Sequence, residues 1–551
     1  MPIDDREVSR RLNELAEREI EDKQIPSISY ALVAGEELWD VDHVAGSTQQ
    51  RLGERTVFRV GSCSKMFTAL ALMRLAEQGR VELDAEVAAY IPGFRLPNPF
   101  AVAHDPQAGV TLRKLLSHTS GLVREPAVGH YLDDSRPPLA ATVDSLRAAP
   151  LKEDPVAGVF RYSNAGFAVV GRVVEQVSGE EFTAHAREHL LDPLGMKDSA
   201  FALTPQAARD LAPARMWSFA GDFPAPVFDL GGAPAGNLYA TLPDMAAFVQ
   251  ALLRGGSTDE GRRIVQPSTL QAMWEPVGAH GKLTYGLGFA VGEVDGWRAV
   301  GHGGAVYGFA TQCLLLPEAR VGVVVCSTLD ATNVVASRIG QYALRLLLAP
   351  TGQGQVPPPP PPARPVEPAH LAALPGWYRN RATAEVAEVV AKEGKLYLMG
   401  DGLPLRIQPR SRWEFLVDGR VFGPGSDYPH LEVSFSPPRP NGRCPTLRWR
   451  AGTWERIPQP APEAPPPQLA PHIGEYGPDF NVAHISYESG RPRCLVEYFY
   501  SHTLEEVAPA TYKMHGLLYE DETLSLGARD ERGRPGIRIG PMFLRRRPGK
   551  G

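Results

Sequence analysis

Ser62 and Lys65 stand three residues apart at the front of Phe58-Arg-Val-Gly-Ser-Cys-Ser-Lys-Met-Phe-Thr-Ala-Leu-Ala-Leu-Met-Arg-Leu-Ala-Glu-Gln-Gly79. On a helix, that spacing puts both side chains on one face, one turn apart. A serine at a helix start lies against unpaired N–H groups and the positive end of the macrodipole. An amine one turn away can take the hydroxyl proton, or help another base take it. The pair therefore describes an activated nucleophile. Its ordinary reading is an N-capping serine beside a solvated lysine, the commoner outcome for an isolated Ser-x-x-Lys. Two features favour chemistry: no other Ser-x-x-Lys occurs in the chain, and Lys65 interrupts an otherwise apolar helix.

Two further patterns contain groups that could join such a site. Tyr162-Ser-Asn164 precedes an expected helix at Ala165, and His302-Gly-Gly304, followed by Ala305, falls on an expected strand. Each is weak alone. Tyr378-Arg-Asn380 and His472-Ile-Gly474 match as well, far from any nucleophile. A loop tyrosine is more often a half-buried core residue, and a histidine before glycines is usually a structural turn residue.

The elements that must position these residues follow from periodicity. Met66, Ala69, Leu70, Met73 and Ala76 recur at helical steps, giving a helix with one buried face that stops at Gly79. Before it come an amphipathic helix over 8–20 and two strands, Ser27 to Val33 and Glu37 to Val41, joined near Gly35. Helical patterns then run Thr111 to Ser117, Ala165 to Ser178, Glu181 to Leu191 and Pro243 to Leu253. Strands return at Leu287 to Val291, Arg298 to Val300, Thr311 to Leu316 and Val321 to Ser327, before a closing helix Asn333 to Leu348. Strands at both ends with helices between predict one sheet completed by the two ends. The fold class expected is α/β (α+β), with an antiparallel sheet flanked by helices. The glycine spacing of dinucleotide folds, the phosphate-binding Gly-x-x-x-x-Gly-Lys loop and the Gly-x-Ser-x-Gly elbow are all absent.

At 551 residues the chain is too long for one core, and about two to four domains are expected. Six prolines at 357–362 and a second proline-rich run over 458–467 mark breaks. The expected division is 1–352, a linker 353–368, 369–457, a linker 458–469, and 470–551. The last two segments look related, with Gly376-Trp-Tyr378 opening one and Gly474-Glu-Tyr476 the other. Their many short strands, such as Lys395 to Leu398 and Leu495 to Phe499, predict two small antiparallel β-barrels.

A net charge of −6 is nearly neutral at this length and excludes a nucleic-acid or anionic-lipid binder on charge grounds. Five widely spaced cysteines without a Cys-x-x-Cys pair argue against a disulfide framework or a zinc site. The charged N-terminus lacks an apolar signal region, and the longest apolar runs, such as Val321 to Val325, are strand-sized. A cytoplasmic protein without membrane partner, metal or cofactor is expected.

Taken in order within one region, Ser-x-x-Lys, Tyr-x-Asn and His-x-Gly resemble the serine β-lactamase and penicillin-binding-protein superfamily. Leu115-Leu-Ser-His-Thr-Ser-Gly-Leu122, Asp192-Pro-Leu-Gly-Met-Lys197, Tyr285-Gly-Leu-Gly288 and Gly301-His-Gly-Gly304 are phrases typical of its class C-like branch. The resemblance covers about residues 10–350. With two barrels following, the whole chain looks like the three-domain D-aminopeptidases.

The resemblance implies roles. Ser62 would attack the substrate carbonyl and form an acyl-enzyme. Tyr162 would be the general base, held partly as phenolate against its ordinary pKa of ~10 by Lys65 and by a protonated His302. Asn164 would hold Lys65 and donate to the substrate amide. Backbone N–H groups of Ser62 and Ala305 would form the oxyanion hole, with Gly303 and Gly304 letting substrate lie against the strand. His302 replaces the lysine of the related Lys-Thr-Gly strand, and a histidine largely neutral at pH 7 weakens recognition of a substrate carboxylate. The expected partner is thus a small molecule or short peptide with an amide or ester and a free amino end. Asp479 or the 501–522 region is where that implied fold would place an acidic group for the amine. The barrels read equally as packing or dimerisation modules, leaving a homodimer open. A carboxylesterase using the same residues, and a catalytically silent peptide or cell-wall-fragment binder, are the alternatives. The intact set of Ser62, Lys65 and Tyr162 counts against the binder.

Overall fold

A computed structural model describes residues 5–548 except 36, 47–51, 101–108, 219–220, 282, 350–367, 393, 401–402, 418–431, 451, 462, 489, 498–499 and 517–518. The expected linker 353–368 lies outside the described residues but for Pro368. The chain divides into two compact units: Met1–Pro359 with Arg538–Leu544, and Pro360–Ile537 with Arg545–Gly551.

The first unit is built on an eight-stranded antiparallel sheet. From one edge its strands are Glu37–Ala45, Ser27–Ala34, Val321–Ser327, Phe309–Leu316, Trp297–Val306, Ala290–Val294, Leu283–Tyr285 and Gly278–His280. The N-terminal hairpin thus pairs with the last strand, with Ile28 opposite Ser327, and the two ends of the region do complete one sheet. Its central strands are buried on both faces, which is why they read as unbroken apolar runs. Alternate residues serve different cores: Ala31, Val33, Val324 and Cys326 face the helical region. Ile28, Tyr30, Leu32, Val323 and Val325 pack under the Asp5–Lys23 and Asn333–Leu348 helices.

The Ser64–Glu77 helix differs from the one-faced helix expected. Eleven of its residues are buried, Lys65 and Thr68 among them. The stripe at Met66, Ala69, Leu70 and Met73 was real, but Phe67, Ala71, Leu72 and Leu75 make the helix apolar all round, and such a helix is buried all round. The expected strand Leu287 to Val291 is also displaced. Gly288, at φ +83°, presses against Ala69, and Gly286 N–H donates to Phe289 O at 2.9 Å, so a turn occupies 286–289 and the strand runs Ala290–Val294.

In the second unit, the strands from Gly376–Asn380 to Gly452–Ile457 form a closed barrel, with Trp377 opposite Ile457. The strands from Gly474–Tyr476 to Thr523–Arg529 follow one another in a second antiparallel sheet, and Gly477 N–H donates to Arg545 O at 2.8 Å. The likeness of the two openings extends to side chains. Buried Tyr378 and Tyr476 each donate to the carbonyl four residues upstream, Leu374 O at 2.7 Å and His472 O at 2.8 Å. The expected small-barrel pattern is therefore present twice. Among the described residues no helix is long and apolar enough to cross a membrane.

Candidate active site

Ser62 sits not on the helix proper but in a tight 3₁₀ turn, Gly61–Cys63, that leads into it. Gly61 takes φ +54°, a conformation glycine adopts without strain. Ser64 pins the turn, donating to Gly61 O at 2.7 Å and accepting from Leu238 N–H at 3.0 Å. One turn on, Lys65 is buried and its Nζ is 3.0 Å from Ser62 Oγ, 2.7 Å from Asn164 Oδ1 and 2.8 Å from Ala235 O. No carboxylate touches it in this set. Burial and the nearby Arg124 guanidinium push it down to about 7.

That value selects a protonation pattern. Asn164 Oδ1 and Ala235 O can only accept, so an uncharged Lys65 gives them its two protons and keeps its lone pair for Ser62 Oγ. Above about 7, then, a free amine stands against the nucleophile.

Tyr162 and Asn164 flank Ser163, whose role is structural. Its Oγ accepts from Gly166 N–H at 2.9 Å, capping the Asn164–Ser178 helix, and donates to Val123 O at 2.7 Å. Such a cap contributes about 1 kcal/mol. The cap fixes its neighbours: Tyr162 points its hydroxyl to Ser62, with which it is hydrogen-bonded, and Asn164 turns to Lys65. Burial outweighs that bond and Arg124, and raises Tyr162 to about 12. The phenolate expected from sequence is thus a neutral phenol here, because desolvation exceeds the help from neighbouring cations.

Burial governs His302 as well. It is buried on the Trp297–Val306 strand, and burial followed by Lys65 pushes it down to about 3. Gly303 O can only accept, so it fixes the proton on Nδ1, and Nε2 accepts from the Tyr285 hydroxyl at 2.8 Å. His302 is thus neutral, as expected where it replaces the family's lysine, is held in a single tautomer, and offers no second cation to Tyr162.

The strand itself meets the nucleophile turn backbone to backbone. A Cβ on Gly304 would fall 2.0 Å from Val60 O and 3.3 Å from the Ser62 nitrogen. Asn333 Nδ2 donates to Gly304 O at 2.7 Å and holds the strand there. Beyond Gly301 the neighbouring Ala290–Val294 strand has ended, so Gly303 to Val306 run along an edge, with Ala305 exposed. Ser62, Asn164, Ala305 and Val306 line one cleft of about 440 Å³.

Four residues escaped the sequence reading. Glu125, 4% exposed, is the only carboxylate among the described residues lining the cleft, and accepts from Asn164 Nδ2 at 2.5 Å. The Arg124 guanidinium lies 3.5 Å from it and 5.1 Å from the Tyr162 ring. His118, fully buried, stacks 4.2 Å from the Tyr162 ring and accepts Ser163 N–H at Nδ1, 3.1 Å away. Tyr285 orients His302. The signal for His118 and Tyr285 lay in the phrases Leu115–Leu122 and Tyr285–Gly288; Glu125 had none beyond following the first of these. Asp479 is fully exposed and lies 3.4 Å from Arg547.

The family model described as Beta-lactamase matches residues 12–347. Penicillin-binding protein 4 of Amycolatopsis lactamdurans is 31% identical over 333 residues, which cover 58% of this chain and 84% of that protein. Among solved structures, the octameric penicillin-binding protein homologue from Pyrococcus abyssi has a TM-score of 0.57 at 21% identity, covering 81% of this chain and 99% of its own. A D-amino acid amidase from Ochrobactrum anthropi, complexed with L-phenylalanine amide, has a TM-score of 0.53 at 21% identity, covering 62% and 98%.

Proposed function

The chain belongs to the beta-lactamase family, and from that premise we propose that it is a serine hydrolase that cleaves amides or short peptides with a free amino end through an acyl-enzyme, with a preference for D-residues. The observation that carries the reading is the pairing of two features at one cleft. Ser62 faces an uncharged amine at Lys65, and a single buried carboxylate, Glu125, stands behind Asn164.

Ser62 Oγ gives its proton to Lys65 Nζ as its oxygen bonds to the substrate carbonyl carbon. The carbonyl oxygen gains the electron pair, and the N–H groups of Ser62 and Ala305 hold it. The carbon–nitrogen bond then breaks, the departing nitrogen taking the Tyr162 proton. The Lys65 ammonium returns a proton to Tyr162 and becomes a base again. Water in the place of the departed amine bonds to the ester carbon as Lys65 takes its proton; the carbon–Oγ bond then breaks, and Lys65 gives that proton to Ser62 Oγ, restoring the serine and releasing the acid. Asn164 and Ala235 hold Lys65 throughout.

Charge supports the substrate class. No lysine or arginine is among the described residues lining the cleft, and His302 is neutral, so a substrate carboxylate finds no cation on that strand. Glu125 supplies the opposite preference, an anion for a substrate ammonium. The D-preference rests on the likeness to the D-amino acid amidase.

The test is hydrolysis of D-alanine and L-alanine p-nitroanilides and of p-nitrophenyl acetate, with Ser62→Ala as control. Release from the D-anilide that vanishes in Ser62→Ala supports the reading. Release from the ester alone replaces it with a carboxylesterase, and equal activity in Ser62→Ala removes Ser62 from the chemistry.

A further inference from the structure

Away from the cleft, two imidazoles and a carboxylate converge. Glu180 lies two residues before the short helix Phe182–Ala186, which carries His185 and continues into a π-helical turn, Arg187–Leu191, that carries His189. His185 Nδ1 is 2.8 Å and His189 Nε2 is 3.2 Å from the same oxygen, Glu180 Oε2. The two rings lie 4.4 Å apart. All three donor atoms fall within 4.8 Å of one another. We propose that Glu180, His185 and His189 form a binding site for a divalent transition metal of the zinc class, unconnected with the hydrolytic reaction.

The geometry is close to what such an ion needs. Bonds of roughly 2.0–2.1 Å at tetrahedral angles put neighbouring donors roughly 3.3 Å apart, and the two nitrogen–oxygen separations here bracket little less than that. Two imidazoles and one carboxylate are a zinc donor set with a position left open. The two ring nitrogens are aimed at one carboxylate oxygen, His185 Nδ1 and His189 Nε2 both meeting Glu180 Oε2, so the three donors already face a common point. An ion entering would replace two N–H to carboxylate hydrogen bonds, each ring shifting its remaining proton to its other nitrogen. The turn carrying His189 is also irregular: π-helical turns inside helices recur at functional sites. Arg74, a cation that acts on His185, has its Nη1 donating to Ile264 O at 2.5 Å.

The site is separate from the reaction. Arg74 lies in the last turn of the Ser64–Glu77 helix, whose front carries Ser62 and Lys65. An ion held there ties the 180–191 segment together without reaching the nucleophile.

The full chain, stripped with a chelator and dialysed, is titrated with Zn²⁺ by calorimetry and with Co²⁺ by visible absorption. One saturable site, with d–d bands of a four- or five-coordinate cobalt and a melting temperature that climbs with free zinc, is expected. His189→Ala and Glu180→Gln should each weaken binding roughly 10–100-fold or more, with far-UV dichroism and metal-free melting unchanged. A second, exposed group of donors at His515, Glu520 and Asp521 provides the control. Binding that survives His189→Ala but is lost in His515→Ala overturns the proposal, as does a titration without saturation in the unaltered chain.

Discussion

Gly61 and Ala305 meet without side chains between them: a Cβ on Gly61 would stand 2.7 Å from the Ala305 nitrogen. The contact is one half of a mutual approach, the other being Gly304 against Val60 O. It brings the backbone of the nucleophile turn and that of the strand edge to one point, as a pair of oxyanion donors requires. We expect Gly304→Ala to force the strand away and remove one donor, lowering kcat by roughly 10²–10³. Gly292→Ala, on the neighbouring strand with open space around its Cβ, should retain activity. Circular dichroism of both variants separates a displaced strand from an unfolded one. Equal loss in the two would detach the oxyanion hole from this contact.

The protonation states set the pH profile. Lys65 must be uncharged to act as a base, so kcat/KM should rise with pH and level off above a limb near 7, the value burial and Arg124 give it. Tyr162 must keep its proton, and at about 12 it does so throughout the accessible alkaline range. No descending limb from Tyr162 is expected below pH 10. A single ascending limb far above 7 would hand the base role to a Tyr162 phenolate.

His118 acts on the chemistry through Tyr162. At φ +59° it is held in a strained conformation, its ring against Tyr162 and its Nδ1 taking Ser163 N–H. His118→Phe keeps the ring but leaves that buried N–H unpaired, at about 1–3 kcal/mol. kcat should fall roughly tenfold or more with KM little changed. His118→Asn, whose carbonyl oxygen can accept from Ser163, should recover part of the loss. A variant pair of equal activity would reduce His118 to filling.

What could be read from the chain, and what could not, follows from the range of the interactions. The Val321–Ser327 strand and Asn333–Leu348 helix stand where periodicity put them, because local pattern determines both. Ser62, Lys65, Tyr162 and Asn164 were found as short local motifs, and the structure gathers them. Charge states were not legible. Tyr162 had been given a partly charged form, and it is neutral because burial is a property of the assembled core; the same burial keeps His302 neutral, as weakened carboxylate recognition required, and removes it as a second cation beside Tyr162. Glu125 was missed for a related reason: its meaning comes from Asn164, 39 residues on.

A buried carboxylate elsewhere should make stability pH-dependent. Asp330 follows the Val321–Ser327 strand, 7% exposed, and burial raises it to about 7 despite backbone N–H donors at Ala331 and Gly308. Its folded value exceeds its unfolded one, near ~3.9, so between these the folded chain binds more protons. Stability from this group is then complete below pH ~4 and is lost as pH rises through about 7. Asp330→Asn, which keeps an acceptor for the same N–H groups, should gain about 2 kcal/mol at pH 8 over the unaltered chain and little at pH 4. Denaturant melts at the two pH values give the difference; a gain that is equal at both would trace to something other than titration.

The substrate's amino end provides the most discriminating experiment. If Glu125 receives the ammonium, Glu125→Gln removes the charge but keeps an oxygen for Asn164 Nδ2, so Lys65 stays placed through Asn164 Oδ1. A charge-assisted hydrogen bond is worth about 1.5–3 kcal/mol, so KM for an amine-bearing anilide should rise roughly 10–100-fold. Turnover of p-nitrophenyl acetate, which has no amine, should hardly change. The N-acetylated anilide should already be poor with the native chain, and Glu125→Gln should narrow its disadvantage. Loss of ester and anilide turnover together would instead show that Glu125 serves Asn164 and Lys65 rather than the substrate, and the acidic partner of the amine would have to be sought at another residue.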